Sequence, residues 1–449
     1  MHQLRPHYWA TLRLGLPIAI GQIGVIVMGF ADTMMVGRYA TDALAAASFV
    51  NNLFMLVNFL LIGYSCGLTP LIGAAFGRKD LAEAGGIFKQ ALIANTLWGL
   101  LLTAVMGTLF FFTDRMGQPV EILSLVRHYY LYILVSVPFV MLFNVTRQFT
   151  DGTTDTATGM WILLTGNVIN VVGNALLIYG VGVFPEMGLD GAGLATLLAR
   201  IYMAVALLVV VARRRRYAPY RLGWKAARLS RKAVADVNKL SLPVAMQMGM
   251  ESGSFTCSAI MAGWLGAASL AGYQVMVTVG TLGFLFYYSF GAGVSMRVAT
   301  FVGINDWAQV RLATRAGVHL LGIMAVISSM LMLVFAQPLI ALFTTDAEVA
   351  GVCMTLIAPL MVYQFADAMQ ICLANVLRAM KQVVTMMRVA FISYIIVNIP
   401  MGYVFGFVCG WGEVGIFLAF SCGLYTAALL FFIYCRKILA AHSRWLTSR

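Results

Sequence analysis

The sequence predicts an all-α polytopic membrane protein with about twelve transmembrane helices in two six-helix bundles. Three observations predict it. The 449 residues are 61% hydrophobic and only 10% charged, whereas a soluble domain carries roughly 25% charged residues. Runs of about 20 apolar residues, each long enough to cross a ~30 Å hydrocarbon layer, recur from Leu14 almost to the C-terminus. The first half of the chain also falls on the second when shifted by 226 residues. A β-barrel would instead show alternating segments of about 10 residues.

The expected spans are 14–37, 46–75, 88–112, 123–147, 158–181, 191–212, 240–263, 269–299, 311–336, 350–377, 385–409 and 414–435. Basic residues precede the first, but its apolar run is too long for a signal-peptide core. No small-residue cleavage site stands out before Arg38, so this span is expected to be retained. Arg78, Lys79 and Lys89 lie between the second and third spans, and Arg147 follows the fourth. "RRRRYAPYRLGWKAARLSRK" follows the sixth, Arg311 and Arg315 the eighth, Arg378, Lys381 and Arg388 the tenth, and Arg436 and Lys437 the last. The intervening loops carry Asp42, Glu121, Glu186, Asp190, Asp346, Glu348 and Glu413. This alternation follows the positive-inside rule and places both termini in the cytoplasm, in a cytoplasmic (inner) membrane. It also accounts for the net charge of +13 without nucleic acid.

The repeat is specific at residues that hydrophobicity does not dictate. Leu16-Pro17 meets Leu242-Pro243, Met35 and Gly37 meet Met261 and Gly263, Gly67 meets Gly293, and "GRKDLA" meets "GINDWA". The expected domains are therefore a bundle at 1–212, a basic cytoplasmic linker at 213–238 and a second bundle at 239–449. An even number of spans per half gives both halves one orientation. That is a parallel repeat, whose transporters bind substrate between the halves and rock them.

Of the 17 acidic residues, all but three fall in loops or at span ends. The exceptions are Asp32, Glu251 and Asp367, and an acid at a helix centre costs roughly 2.5–3.5 kcal/mol on insertion scales. Such residues line aqueous cavities or bind cations. Asn167, Asn170 and Asn174 form one stripe on the fifth span, and their amides can bond a carboxyl in either protonation state. They can equally serve as packing glue. Arg200 can pair with Asp32 or snorkel to a headgroup. Tyr363 and Asp367 share a helix face. With Glu251 they offer oxygen ligands and a ring face, which suit a monovalent cation. Gln274, Tyr287 and Tyr288 are candidates for the same cavity wall.

The seven cysteines are scattered singly and the five histidines show no ligand spacing, so neither disulfides nor a zinc site is expected. No Gly-Lys pair exists to form a Walker A loop, and neither a GxSxG elbow nor a TVGYG filter occurs. The chain is expected not to be an enzyme and to need no cofactor.

"ADTMMVG" in the first span, "MES" in the seventh and "YQFAD" in the tenth, with Leu-Pro opening the first and seventh, resemble the multidrug and toxic compound extrusion (MATE) family. The likeness is greatest to its NorM branch and covers nearly the whole chain. The resemblance implies a secondary antiporter that exports cationic, amphipathic drugs or dyes in exchange for sodium ions, protons or both. It implies proton and substrate coupling at Asp32, Asn170 and Asn174. It implies a cation site at Glu251, Tyr363 and Asp367, with Glu251 and Asp367 as sodium ligands. The only partners expected are the small-molecule substrate and the bilayer, and the protein is expected to be a monomer. The rival is a flippase of lipid-linked oligosaccharides, which would want a cationic cavity for pyrophosphate.

Overall fold

The computed structural model describes residues 3–116 and 119–447, with side chains as far as His442. The helices in chain order are α1 (Arg5–Tyr39), α2 (Thr41–Cys66), α3 (Thr69–Gly77), α4 (Leu81–Phe110), α5 (Leu123–Gly152), α6 (Thr156–Tyr179), α7 (Leu189–Arg213), α8 (Ala218–Ala226) and α9 (Arg231–Leu265). They continue as α10 (Ala267–Gly303), α11 (Trp307–Val334), α12 (Ala336–Ala341), α13 (Ala347–Thr355), α14 (Ile357–Ala379), α15 (Val383–Ala390), α16 (Ile399–Tyr403) and α17 (Gly412–Thr447). No strand occurs among the described residues. Eleven helical segments among them are long and apolar enough to cross a membrane. The count of about twelve is reached only with α9. That helix is 35 residues long, but Lys239, Gln247, Glu251 and its serines keep it outside the apolar set.

The repeat is written in the backbone. Lys79 and Asn305 both adopt the left-handed conformation, with φ of 61° and 57°. The next residue caps the following helix in both halves. Asp80 accepts from the Glu83 N–H, and Asp306 accepts from the Gln309 N–H. Thr154 and Lys381, at φ of 62° and 61°, mark a second matching turn. The halves differ at the fifth span of each. α6 is a regular helix of 24 residues, whereas its counterpart Val383–Val408 takes 26. That segment contains two π-helical stretches, Phe391–Asn398 and Val404–Val408. A π turn holds an extra residue and is often found at functional sites.

By packing, the chain forms two compact units, Ile20–Ala245 and Met1–Ala19 with Met246–Arg449. These boundaries differ from the halves 1–212 and 239–449. The opening turns of α1 belong with the second half, and those of α9 belong with the first. The close contacts show why. Gly67, at the end of α2, faces Ser241 so tightly that a Cβ there would lie 2.5 Å from its Cα. Gly293 meets Gly15 and the Thr11 carbonyl, with a Cβ 3.0 Å from that oxygen. The two contacts are equivalents under the 226-residue shift.

The segment expected as a linker, 213–238, is not a free tether. A Cβ on Gly85 of α4 would lie 1.9 Å from the Tyr220 carbonyl, and one on Gly223 of α8 would lie 1.8 Å from the Ala82 carbonyl. Two missing side chains thus let α8 lie backbone to backbone on α4. Trp224 stacks near Phe88, and Lys89 and Gln90 donate to the carbonyls of Ala227 and Arg228 at 2.8 Å. Tyr217 donates to Asp155 at 2.8 Å. Burial and that bond hold the phenol well above its ordinary pKa, so it remains a donor.

Candidate functional site

Asp32 lies in one unit, and Glu251 and Asp367 lie in the other. In the unit Ile20–Ala245, α1 brings Asp32 against the asparagine face of α6. The Asn174 amide donates to the Asp32 carboxyl. It also approaches Asn170 Oδ1 at 3.4 Å, and Asn170 donates to Thr196 Oγ1 on α7 at 3.2 Å. The result is an amide relay from the acid to a hydroxyl. Tyr179 donates to the Met35 carbonyl at 2.8 Å and fixes the end of α1 beside the acid. Asn167 does not join the relay; its buried amide nitrogen and oxygen have no partner.

Arg200 on α7 donates to Ser136 Oγ on α5 at 2.6 Å. Its charge reaches Asp32 without a direct ion pair. The geometry gives no pair with Asp32: Arg200 is tied to Ser136 and acts on the acid only as a nearby charge. Tyr129 lies beside both groups and within hydrogen-bonding reach of Asn51 on α2.

In the unit containing Met246–Arg449, Glu251 on α9 and Asp367 on α14 feel each other's charge. Gln247 donates to Glu251 Oε2 at 2.9 Å, one turn back on the same helix. The Tyr394 hydroxyl, on the π-helical stretch, faces Glu251 without completing a hydrogen bond. Asp367 is 1% exposed, and its Oδ2 has no hydrogen-bond partner. Tyr363 stands one turn before it, its ring held by Phe255, Phe417 and Phe420. Tyr287 is fully buried, bonds Ser328 and senses the Asp367 charge. Gln364 donates to the Gly280 carbonyl at 3.1 Å. Its free Oε1 occupies the space beside Gly283, where a Cβ would lie 2.3 Å away.

Gln274 and Tyr288 lie outside this cluster. Gln274 is exposed, and Tyr288 stacks on Phe284. Gln247 and Tyr394 join it without having been singled out. Gln247 was findable, since an amide one turn from a buried acid shares its face. Arg378, expected in a loop, stands in the last turn of α14 and is 7% exposed. It approaches Asn375 Oδ1 at 3.3 Å, and its charge reaches Glu251.

Two carboxylates in one apolar pocket, one with an orphaned oxygen, leave negative charge uncompensated. A proton or a cation relieves it. The donor set is carboxylate, phenol and amide oxygen, which suits a hard monovalent ion. Among the described residues, no group of three or more His, Cys, Asp or Glu side chains forms a metal site.

The MatE family profile matches residues 17–176 and 243–404, once in each half. The multidrug resistance protein NorM of Photobacterium profundum is 29% identical, over 99% of this chain and 97% of that protein. NorM of Vibrio cholerae is 28% identical over 96% and 95%. PmpM of Pseudomonas aeruginosa, also described as a multidrug resistance protein, is 27% identical over 98% and 94%. Among solved structures, an outward-facing multidrug resistance MATE family transporter superposes with a TM-score of 0.88 at 19% identity, over 99% of this chain and 98% of that one. A Pyrococcus furiosus transporter, described as having a binding pocket of reverse polarity, superposes with a TM-score of 0.87 at 18% identity, each chain 97% covered.

Proposed function

Because the chain belongs to the MatE family, we propose that it is a secondary antiporter that exports amphipathic cations, small drugs and dyes among them, in exchange for Na⁺, H⁺ or both. The observation that carries the reading is the placement of three acids inside membrane helices, two of them sharing a pocket with an unpartnered carboxylate oxygen. Glu251 and Asp367 would hold the coupling cation, with Tyr363 presenting its ring. Asp32 would carry the proton, because the amide relay can donate to its charged form and accept from its neutral form. Drug and proton then compete for the negative charge of Asp32. The protein is read as a transporter rather than an enzyme, monomeric in the inner membrane with both termini cytoplasmic.

Arg200 and Arg378 are what favour the rival, a flippase of an anionic lipid-linked substrate. Each already has a hydrogen-bond acceptor, and the acids outnumber them. The fold itself cannot decide, since it is shared with a pocket of reverse polarity. The test is reconstitution into liposomes with sodium and pH gradients imposed separately. Ethidium should move against its gradient under at least one of them. If properly inserted protein moved it under neither, the antiporter reading would be wrong.

A further inference from the structure

α2 carries amides that its own unit does not use. Ser48, Asn51, Asn52, Met55, Asn58, Phe59 and Ile62 share one face of this membrane helix, and Asn51, Asn52 and Met55 are exposed. An open groove of about 320 Å³ lies along that face, lined by Asn51, Asn52, Met55, Asn58, Phe59 and Ile62. Pockets for drug-sized molecules start at roughly this volume. Asn52 and Asn58 make no hydrogen bond among the described residues. Left against hydrocarbon, each such amide would cost several kcal/mol, so the face must meet water or a polar ligand.

The repeat supplies a control within the same chain. The equivalents of Ser48, Asn52 and Met55 on α10 are Gln274, Thr278 and Thr281. The two threonine hydroxyls turn back onto their own helix, donating to the carbonyls of Gln274 and Val277 at 2.8 and 3.0 Å. On that face both threonine donors are satisfied internally and only the Gln274 amide stays open, whereas the α2 face leaves four amide hydrogens and two carbonyl oxygens open at Asn52 and Asn58. The α2 face is also continuous with the first acidic pocket. Asn51 reaches Tyr129, which lies within the fields of Asp32 and Arg200.

We propose that the α2 face is a specificity-determining subsite that binds the uncharged, hydrogen-bonding aromatic part of the transported cation. Asn52 and Asn58 bond its carbonyl, ether or amine groups. Met55 and Phe59 take its ring, as a polarizable thioether and an aromatic face do well. The cationic end extends toward Asp32. This inference rests on the antiporter reading and names the substrate class within it: flat cations that also carry neutral hydrogen-bonding groups.

Two fluorescent or radiolabelled probes test it on purified full-length protein. Rhodamine 6G carries an ester and amino groups; tetraphenylphosphonium carries charge and rings with no hydrogen-bonding group. In Asn52→Leu/Asn58→Leu the ratio of rhodamine 6G to tetraphenylphosphonium affinity should fall about tenfold, as expected for two lost neutral hydrogen bonds. Asn52→Gln/Asn58→Gln, which keeps the amides, should recover part of it. Measurable tetraphenylphosphonium binding shows that the leucine variant is folded. If it is not, Asn52→Ala and Asn58→Ala singly give the same ratio test. An unchanged ratio in a folded variant overturns the subsite and leaves the antiporter reading standing. Loss of both probes in equal proportion also overturns it, because the amides would then be structural. If wild-type protein binds neither probe, the antiporter reading and the subsite fall together.

Discussion

Asp32 has an amide pointed at it, and Asp367 has none. The two acids lie in units built on repeated helices, yet the first half surrounds its acid with a relay through Asn174, Asn170 and Thr196. The second half leaves Asp367 Oδ2 bare beside Glu251. A relay of groups that both donate and accept tolerates either protonation state. A bare oxygen beside a second carboxylate does not tolerate two negative charges, and it waits for a cation. Duplication has thus given one frame two electrostatic personalities. On the proposed reading, the first would take a proton and the second a metal ion.

The comparison breaks most visibly at the second pocket. Asp367→Asn, and to a lesser degree Glu251→Gln, should raise the sodium concentration needed for half-maximal efflux by about 100-fold, the upper range for a lost charged interaction. Proton-driven efflux should persist. Next comes Asp32→Asn, which should remove efflux driven by a pH gradient while sodium stimulation survives. In detergent, wild-type affinity for a cationic dye should fall as pH falls, because protonation removes negative charge. The Asp32→Asn variant should bind about tenfold more weakly at high pH and stay flat. Were each variant to lose both gradients alike, the pockets would be one coupled system and the contrast would not stand.

Two smaller effects sharpen the packing behind the contrast. Gly283→Ala would place a Cβ against Gln364 and push it off the Gly280 carbonyl, costing about 1–3 kcal/mol. A lower midpoint in thermal unfolding, with sodium affinity also reduced, is the expected signature. Asn167→Leu should do the opposite and slightly raise that midpoint, since both atoms of its buried amide lack partners. A drop as large as that of Asn174→Leu would mean that the relay extends to Asn167.

Much of the fold was legible because lipid imposes it. Apolar runs of fixed length and alternating loop charge have few alternatives, and every expected span has its helix, eleven of them long and apolar enough to cross a membrane. The link from Asp32 to Asn174 was legible as an acid facing an amide stripe. What escaped depends on contacts remote in sequence. Arg378 sits where a basic residue ends a span and looks like a loop anchor, yet the elements around α14 bury it. Tyr394 reaches Glu251 on a helix whose π-helical turns shift every later side chain, so no regular period points to it. α8 looked like part of a basic linker because its nine residues sit within a dense run of arginine and lysine. The close contacts of Gly85 with Tyr220 and of Gly223 with Ala82, more than a hundred residues apart, reveal its docking.

The exchange of helix starts has a consequence for how the protein is made. Met1–Ala19 leaves the ribosome more than two hundred residues ahead of the segment it packs with, from Met246 onward. The N-terminal unit is likewise incomplete until the chain has grown as far as Ala245. Neither half can close its core from its own half of the message. The same reciprocal loan of a segment is what joins two copies in a domain-swapped dimer. Fusing such a dimer end to end would yield a chain that, like this one, completes each half only with a segment borrowed from the other.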